Sequence, residues 1–205
     1  MNLIMFDYDG VIVDSLEICY TCFISASRDN GFLGLSSRED FVSLFEGNLY
    51  ESLKERGLNN EQINQILQSY EIKQNTRLNN LNLFPGMGEA LKSIAQNNKV
   101  VVITSNLSEA TMEVLEKNGI NCYEDVIGAE KEKSKIKKIE KAWSKYPNLP
   151  GYYVGDTKGD MVEGKKAGTK TVGVLWGWHS KDTLCAGGAD VLVSSPRELA
   201  TLFPG

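Results

Sequence analysis

The chain has 205 residues and a formal net charge of −5, with 41% hydrophobic and 24% charged residues. These values are typical of a globular protein of one domain, or of one domain with a smaller insert. The acidic balance excludes nucleic acid and anionic membranes as general partners, because both favour basic surfaces. No stretch is long and apolar enough to predict a transmembrane helix.

The chain has four cysteines, Cys19, Cys22, Cys122 and Cys185. The first two are three residues apart in an apolar helical pattern, and no second pair completes a zinc site. We therefore expect buried thiols in a reducing compartment. The N-terminal stretch has no basic region, and Asp7 and Asp9 interrupt its apolar run. This differs from a secretory signal, so we expect a cytoplasmic protein.

Residues 3–6 form a short apolar run that ends at two carboxylates and a glycine. Such a run is typical of a central parallel strand. Alternate side chains of a strand point the same way, so Asp7 and Asp9 are expected to project together. Two neighbouring carboxylates are costly unless a cation compensates them, which indicates a divalent metal. Gly10 then allows a sharp turn.

Residues 15–82 are predicted to be helical. A helix over 15–30 has Ser15 as its N-cap, two shorter helices over 37–57 break near Gly47, and a polar helix covers 60–80. We therefore predict a helical cap domain over 15–82, inserted into a core domain formed by 1–14 and 83–205.

From residue 83 onward, helical and strand patterns alternate. Helices are expected over 87–95, 108–118, 134–146 and 160–167, and strands over 99–104, 125–128, 152–155, 169–175 and 190–193. Ser195, Pro196 and Glu198 predict a capping box with proline at the first position of a last helix. This alternation predicts an α/β fold, a parallel Rossmann-like sheet with helices on both faces.

Ligands of such sheets bind at the carboxyl ends of the strands, so the residues that follow each strand are candidate site residues. They are Asp7 and Asp9, then Thr104, Ser105 and Asn106, then a lysine-rich loop with Ser134 and Lys135, and then Asp156 and Asp160. Carboxylates, a hydroxyl and an ammonium are the groups that phosphoryl transfer needs. Oxygen ligands favour Mg²⁺ as the cofactor.

These motifs, in this order, resemble those of the haloacid dehalogenase superfamily, in its branch similar to phosphoglycolate phosphatase with a helical cap. The resemblance implies that Asp7 is the nucleophile and that Asp9 exchanges protons with the leaving group and water. It implies that Thr104 binds the phosphoryl group, helped by the backbone N–H groups of Gly10, Ser105 and Asn106. The implied Mg²⁺ ligands are Asp7, the backbone carbonyl of Asp9, Asp156 and Asp160.

The lysine of the motif is less clear, because residues 131–145 carry seven lysines, most of them expected on a solvated face. The family pattern places proline after this lysine, whereas Ile136 follows Lys135. We choose Lys135, because Ser134 is a suitable N-cap and the first helical turn would lie at the strand ends. Lys133 is the alternative.

The resemblance implies a Mg²⁺-dependent phosphatase of a small phosphorylated metabolite, either phosphoglycolate or a sugar phosphate. The alternatives are a sugar phosphomutase, a phosphonatase using Lys54 or Lys73 of the cap, and a non-catalytic phosphate-binding protein. A dehalogenase would not need Asp9, and a receiver domain would lack the helical insert.

The predicted cap also offers cations for a second anionic group of the substrate: Arg28, Arg38, Lys54, Arg56, Lys73 and Arg77. Three residues after the predicted strand over 169–175 either wall the pocket or pack under a loop: Trp176, Trp178 and His179. The chain is expected to be a monomer or a homodimer.

Overall fold

The computed structural model describes residues 1–77 and 81–204. The strands in this part of the chain are β1 (Leu3–Asp7), β2 (Lys99–Ile103), β3 (Asp125–Ile127), β4 (Gly151–Gly155), β5 (Lys170–Val174) and β6 (Val191–Val193). The first helices are α1 (Leu16–Asp29), α2 (Arg38–Ser43), a 3₁₀ turn (Leu44–Glu46), α3 (Leu49–Glu55) and α4 (Asn60–Asn75). The others are α5 (Met87–Ala95), α6 (Ser108–Lys117), α7 (Lys135–Ser144), α8 (Lys158–Lys166), α9 (Lys181–Ala186) and α10 (Pro196–Leu202).

The six strands form one parallel sheet in the order β3-β2-β1-β4-β5-β6. The predicted α/β fold with a parallel sheet is therefore confirmed. Strand β1 lies at the centre, with Asp7 opposite Ile103 of β2 and Phe6 opposite Val154 of β4. The chain order reverses on the two sides of β1, which opens a crevice at the carboxyl ends of β1 and β4.

Strand β1 is buried on both faces, as its uninterrupted apolar run predicts. Ile4 and Phe6 belong to the cluster on one face of the sheet, where Leu91 of α5 also packs. Leu3 and Met5 belong to the cluster on the opposite face. Because successive side chains alternate between faces, this one strand joins both cores and fixes where its last residue, Asp7, lies.

Helices α1 to α4, which we call the helical insert, have a hydrophobic cluster of their own. It includes Phe23, Phe41, Leu53, Ile63 and Ile66. The chain leaves and re-enters the sheet domain side by side, because the Phe84 N–H donates to the Ile12 carbonyl and the Asp14 N–H donates to the Asn82 carbonyl, both at 3.0 Å. These contacts agree with the division at 14 and 83, which stays a prediction.

Two residues after β5 attach the insert to the sheet domain. The Trp178 ring packs edge-on against Phe45 with centroids 4.9 Å apart. The Lys158 N–H donates to His179 Nδ1 at 2.8 Å, and His179 Nε2 lies 3.0 Å from the Val42 carbonyl of the insert. Since Nδ1 accepts a hydrogen bond, the neutral ring carries its proton on Nε2 and donates it to Val42. The two residues thus hold the insert over the sheet edge.

Several predicted boundaries differ from the structure. Helix α8 begins at Lys158 instead of 160, because Thr157 and Asp160 form a capping box. Helix α4 ends at Asn75, and positions 78–80 of the predicted helix lie outside the described residues. The short helix α9, capped by the Ser180 side chain, was not predicted.

Two predicted N-caps also differ. The Ser15 side chain makes no capping hydrogen bond. Ser195 accepts the Glu198 N–H as predicted, but the Glu198 carboxylate accepts from the Ser194 N–H at 2.7 Å, one residue earlier than a capping box requires. All four cysteines are free thiols; Cys19 and Cys22 are buried as expected, whereas Cys185 is exposed. No helix in residues 1–77 and 81–204 has the length and hydropathy needed to cross a membrane.

Candidate active site

A cavity of about 480 Å³ lies between the helical insert and the carboxyl edge of the sheet. Its size suits a small metabolite. From the sheet domain it is lined by residues that include Asp7, Asp9, Ser105, Lys135, Asp156 and Asp160. The structure therefore gathers residues from the ends of β1, β2 and β4 and from the start of α7 around one space.

Three carboxylates meet at the floor of the cavity. Oxygens of Asp7, Asp156 and Asp160 lie within 4.8 Å of one another, and all three residues are buried. Asp7 ends β1, whereas Asp156 and Asp160 follow the neighbouring strand β4. Parallel pairing of these two strands is what joins acidic residues that are about 150 positions apart in the chain.

The capping box of α8 holds Asp160 in place. Its Oδ2 accepts from the Thr157 N–H at 3.0 Å and from the Thr157 hydroxyl at 2.7 Å. Burial acts to raise the pKa of Asp160, but the Lys135 ammonium and these hydrogen bonds hold it below its usual value. Asp160 is therefore an ionised carboxylate with few free lone pairs.

The Lys135 ammonium bridges two of the three carboxylates. Its Nζ lies 3.1 Å from Asp7 Oδ2 and 2.6 Å from Asp160 Oδ1. Burial acts to lower the pKa of Lys135, but the charges of Asp160 and Asp7 raise it well above its usual value. The lysine that the sequence favoured therefore lies at the acidic cluster. Lys133 also lines the cavity, but it is exposed and makes no ion pair within the described residues.

The cluster still carries more negative than positive charge. Burial, together with Asp160 and Asp9, raises the pKa of Asp7 to about 7, although Lys135 opposes the shift. Burial and the charge of Asp160 raise the pKa of Asp156 well above its usual value. Two acids that resist ionisation in one buried site indicate that a cation belongs between them.

The donor atoms fit a hard divalent cation. Asp156 Oδ2 accepts from the Trp178 N–H at 2.7 Å, but Asp156 Oδ1 is buried and has no hydrogen-bond partner among the described residues. Buried polar atoms are normally paired, so this oxygen has a free lone pair available to a ligand. Oxygen donors alone are what Mg²⁺ prefers. Asp7, Asp156 and Asp160 are thus the side chains that could hold it.

The Asp9 carboxylate lies outside the three-carboxylate cluster. Its Oδ2 accepts from Asn106 Nδ2 at 2.8 Å, and its Oδ1 accepts from Cys19 Sγ at 3.8 Å. Burial raises the pKa of Asp9, although these donors oppose the shift. A carboxyl group held by neutral donors, facing the same cavity as Asp7, is suited to carry a proton. The predicted contact of its backbone carbonyl with Mg²⁺ stays a prediction.

The structure places Thr104 and Ser105 differently from the expectation. Thr104 is fully buried and is not part of the cavity wall, and its Oγ1 accepts the Asn106 N–H at 3.0 Å. Ser105 is exposed and lines the cavity. Strand β2 ends at Ile103, so the chain is already turning at Thr104. The geometry therefore does not support the predicted phosphoryl contact of Thr104, nor a free N–H on Asn106.

Gly10 shapes the site through its backbone. Its φ of +73° is left-handed, and a Cβ at this position would lie 2.0 Å from Asp156 Oδ2. Its N–H donates to the Val13 carbonyl at 3.0 Å and is not free for the predicted contact with a phosphoryl group. The glycine is needed because the turn must pass directly beside the Asp156 carboxylate.

Lys138 is a site residue that the sequence analysis missed. It was counted with the solvated lysines, yet it is 1% exposed, and its Nζ donates to the Thr104 carbonyl at 2.5 Å. Burial, with help from Lys135, lowers its pKa to about 8. Its spacing of three residues from Lys135 places both on one face of α7, and this spacing was visible in the sequence.

Replacing Gly10 by alanine is expected to destabilise the fold more than the same change at Gly31. Gly31 has a φ of +77°, but beyond its chain neighbours no atom lies within 4 Å of where a Cβ would be. Gly31→Ala therefore costs only the left-handed backbone strain of about 1–2 kcal/mol. Gly10→Ala adds a clash with Asp156. Urea unfolding of both variants measures the difference, and equal free energies of unfolding would contradict this account.

Similarity to known proteins identifies the family of the chain. Residues 4–174 match the protein family described as "Haloacid dehalogenase-like hydrolase". A protein named phosphoglycolate phosphatase from Synechococcus elongatus is 27% identical, over 97% of this chain and 95% of that protein. A protein named pyrophosphatase PpaX from Halalkalibacterium halodurans is 24% identical, over 97% and 95% of the two chains.

Solved structures share the whole fold. A haloacid dehalogenase-like hydrolase from Streptococcus pneumoniae superposes with a TM-score of 0.83 at 20% identity, covering 99% of this chain and 98% of that chain. A predicted phosphatase from Clostridium acetobutylicum gives 0.85 at 19% identity, covering 98% and 97%. With the family match spanning most of its length, the chain belongs to the haloacid dehalogenase-like hydrolases.

Proposed function

We propose that the protein hydrolyses a small phosphate monoester in a Mg²⁺-dependent reaction, through a phosphoryl group carried transiently on Asp7. The observation that carries the proposal is the position of Asp7. Its carboxylate ends β1 at the cavity floor, in one cluster with Asp156, Asp160 and the Lys135 ammonium. The names of the two relatives above agree with a phosphatase.

In the first step an Asp7 carboxylate oxygen attacks phosphorus, and the bond between phosphorus and the leaving oxygen breaks. The Asp9 carboxyl group, whose pKa is raised by burial, gives its proton to that oxygen. The leaving group departs as an alcohol, and an acyl phosphate remains on Asp7.

In the second step water attacks phosphorus while the Asp9 carboxylate accepts a proton from that water. The bond from phosphorus to Asp7 breaks, so inorganic phosphate leaves and both acids return to their starting forms. Asn106 and Cys19 hold Asp9 in place for both transfers. The helical insert, which lies above the cavity, would limit the access of bulk water to the reacting groups.

Mg²⁺ bound by Asp7, Asp156 and Asp160 would neutralise charge on the carboxylates and on the phosphoryl oxygens. Lys135 fixes the Asp7 carboxylate and adds positive charge beside the phosphoryl group. We assign the phosphoryl-binding hydroxyl to Ser105, because Ser105 lines the cavity and Thr104 does not. Thr104 instead fixes the turn by accepting the Asn106 N–H.

The alternative functions have less support. Lys54 and Lys73, the lysines considered for a phosphonatase, lie outside the cavity and pair with Glu51 and Asp29. A mutase would keep its phosphoryl group from water, so release of inorganic phosphate distinguishes it from a phosphatase. A cytoplasmic location and a monomeric or dimeric state stay predictions.

Asp7→Asn is expected to abolish Mg²⁺-dependent release of phosphate from small phosphate esters, by about 10³-fold or more, because an amide is a poor nucleophile. Lys135→Ala should lower kcat by about 10²-fold, since it removes charge stabilisation at the reacting group. Lys133→Ala, the matched control, should leave kcat within a few-fold of wild type. Turnover by Asp7→Asn, or an unaffected Lys135→Ala, would refute these roles.

Ser105→Ala is expected to raise KM or lower kcat by about tenfold, the effect of one lost hydrogen bond to a charged group. Thr104→Val should mainly reduce stability, by about 1–3 kcal/mol, because it leaves the buried Asn106 N–H unpaired. Steady-state kinetics and urea unfolding of both variants separate the two effects. Loss of activity in Thr104→Val at unchanged stability would indicate that Thr104, and not Ser105, binds the phosphoryl group.

Mg²⁺ is expected to stabilise the fold more at pH 8 than at pH 5. The pKa of Asp7 is about 7 when folded and 3.8 in the reference state, so the metal-free fold binds an extra proton between these values and loses stability as pH rises through them. Mg²⁺ favours the ionised form and offsets that loss. Thermal unfolding with and without Mg²⁺ measures the effect.

The matched variants for this measurement are Asp156→Asn and Asp182→Asn. Asp156→Asn should abolish the stabilisation by Mg²⁺, because it removes a carboxylate of the cluster. Asp182→Asn alters an exposed acid on α9 and should keep it. Equal stabilisation at both pH values would argue against a Mg²⁺ site that includes Asp7.

A further inference from the structure

The wall that the helical insert contributes to the cavity has an unusual charge. Within the described residues it contains no lysine or arginine, and its one charged side chain is Glu71. Its polar groups are two asparagines, a glutamine and a phenol: Asn48, Asn75, Gln74 and Tyr70. Any part of a substrate that points away from the acidic cluster meets this wall.

The basic residues of the insert lie elsewhere. None of the six cations that the sequence offered for a second anionic group lines the cavity. Most are engaged on the outer surface of the insert: Arg38 with Glu17, Lys54 with Glu51, Arg56 with Ser43, Lys73 with Asp29, and Arg77 with Thr21.

The lysines that line the cavity from the sheet domain supply little free positive charge. Lys135 is held between Asp7 and Asp160, and Lys138 donates to the Thr104 carbonyl. Lys133 is exposed on the loop before α7, on the side of the cavity that the sheet domain forms. It is the one cation of the wall, within the described residues, that could meet a second anionic group.

Charge and hydrogen bonding then disfavour an anionic leaving group. Glu71 is exposed and lines the cavity, so a second carboxylate or phosphate directed at the insert would meet a like charge with no cation of the insert to offset it. Hydroxyl and amino groups would instead find acceptors in the Glu71 carboxylate and the amide oxygens. Gln74 is 6% exposed and is held by a hydrogen bond from its Nε2 to Cys19 Sγ at 3.5 Å, so part of this wall is fixed before a substrate binds.

We propose that the substrate is a phosphate monoester whose leaving group bears no negative charge and presents hydroxyl or amino groups to Glu71, Gln74 and Asn75. The proposal rests on the proposed phosphatase function. It sets this protein apart from the relatives named for phosphoglycolate and pyrophosphate, because both of those substrates have anionic leaving groups.

Three two-carbon esters test the charge directly, because they differ only at the end of the leaving group. They are phosphoglycolate with a carboxylate, 2-hydroxyethyl phosphate with a hydroxyl, and phosphoethanolamine with an ammonium. We expect kcat/KM of the wild-type enzyme with Mg²⁺ to be about tenfold or more higher for the second and third than for phosphoglycolate. Pyrophosphate should be as poor as phosphoglycolate.

Variants of Glu71 separate recognition from a general effect. Glu71→Gln should reduce the advantage of phosphoethanolamine over phosphoglycolate, and Glu71→Lys should raise kcat/KM for phosphoglycolate by about tenfold. Glu61→Lys is the matched control, since Glu61 lies on the same helix, is exposed and does not line the cavity. It should leave the order of the three esters unchanged.

Equal rates for the three esters, or a preference for phosphoglycolate or pyrophosphate, would overturn the proposal but leave the phosphatase function intact. In that case loss of the preference in Lys133→Ala would identify Lys133 as the residue that binds the anion. Absence of turnover on all of these esters and on p-nitrophenyl phosphate would overturn the proposed function and this inference together.

Discussion

The structure depends on one electrostatic constraint: three buried carboxylates share a site with a single bridging ammonium. Asp7, Asp156 and Asp160 would repel one another without Lys135, and burial, together with their mutual negative charge, still raises the pKa of Asp7 and of Asp156. Proteins usually keep an energetically unfavourable cluster of like charges only where the cluster has a function. The glycine turn beside Asp156 and the capping box that fixes Asp160 hold this cluster together.

The helical insert supplies the second half of the site. It packs around its own apolar cluster and is attached to the sheet domain through Trp178 and His179, on the segment that also donates a backbone N–H to Asp156. The acidic cluster and the insert above it are therefore linked by one short stretch of chain. In the proposed function the sheet edge would supply the reacting groups, whereas the wall formed by the insert, with Glu71 and its amides, would contact the remainder of the substrate.

The sequence predicted the fold and the gathering of Asp7, Asp156 and Asp160, because both leave local patterns, whereas the catalytic roles of these acids stay predictions. A buried apolar run before Asp7 and the alternation of strands and helices each follow from a few neighbouring residues. Roles were harder to assign to the residues after β2. Thr104, Ser105 and Asn106 are all polar, and the position at which the strand ends decides which of them lines the cavity. Lys138 was missed because a lysine on a lysine-rich helix is usually solvated.

The sequence by itself determined which groups are present and which strand ends they follow, because hydrophobic periodicity and turn residues act over short distances. Only the tertiary structure decided which oxygens meet, since Asp7 and Asp156 become neighbours through the pairing of β1 with β4. It also decided that the basic residues of the insert turn outward while Glu71 faces the cavity. Packing of one helix against another selects the face that a charge occupies, and no local pattern specifies that choice.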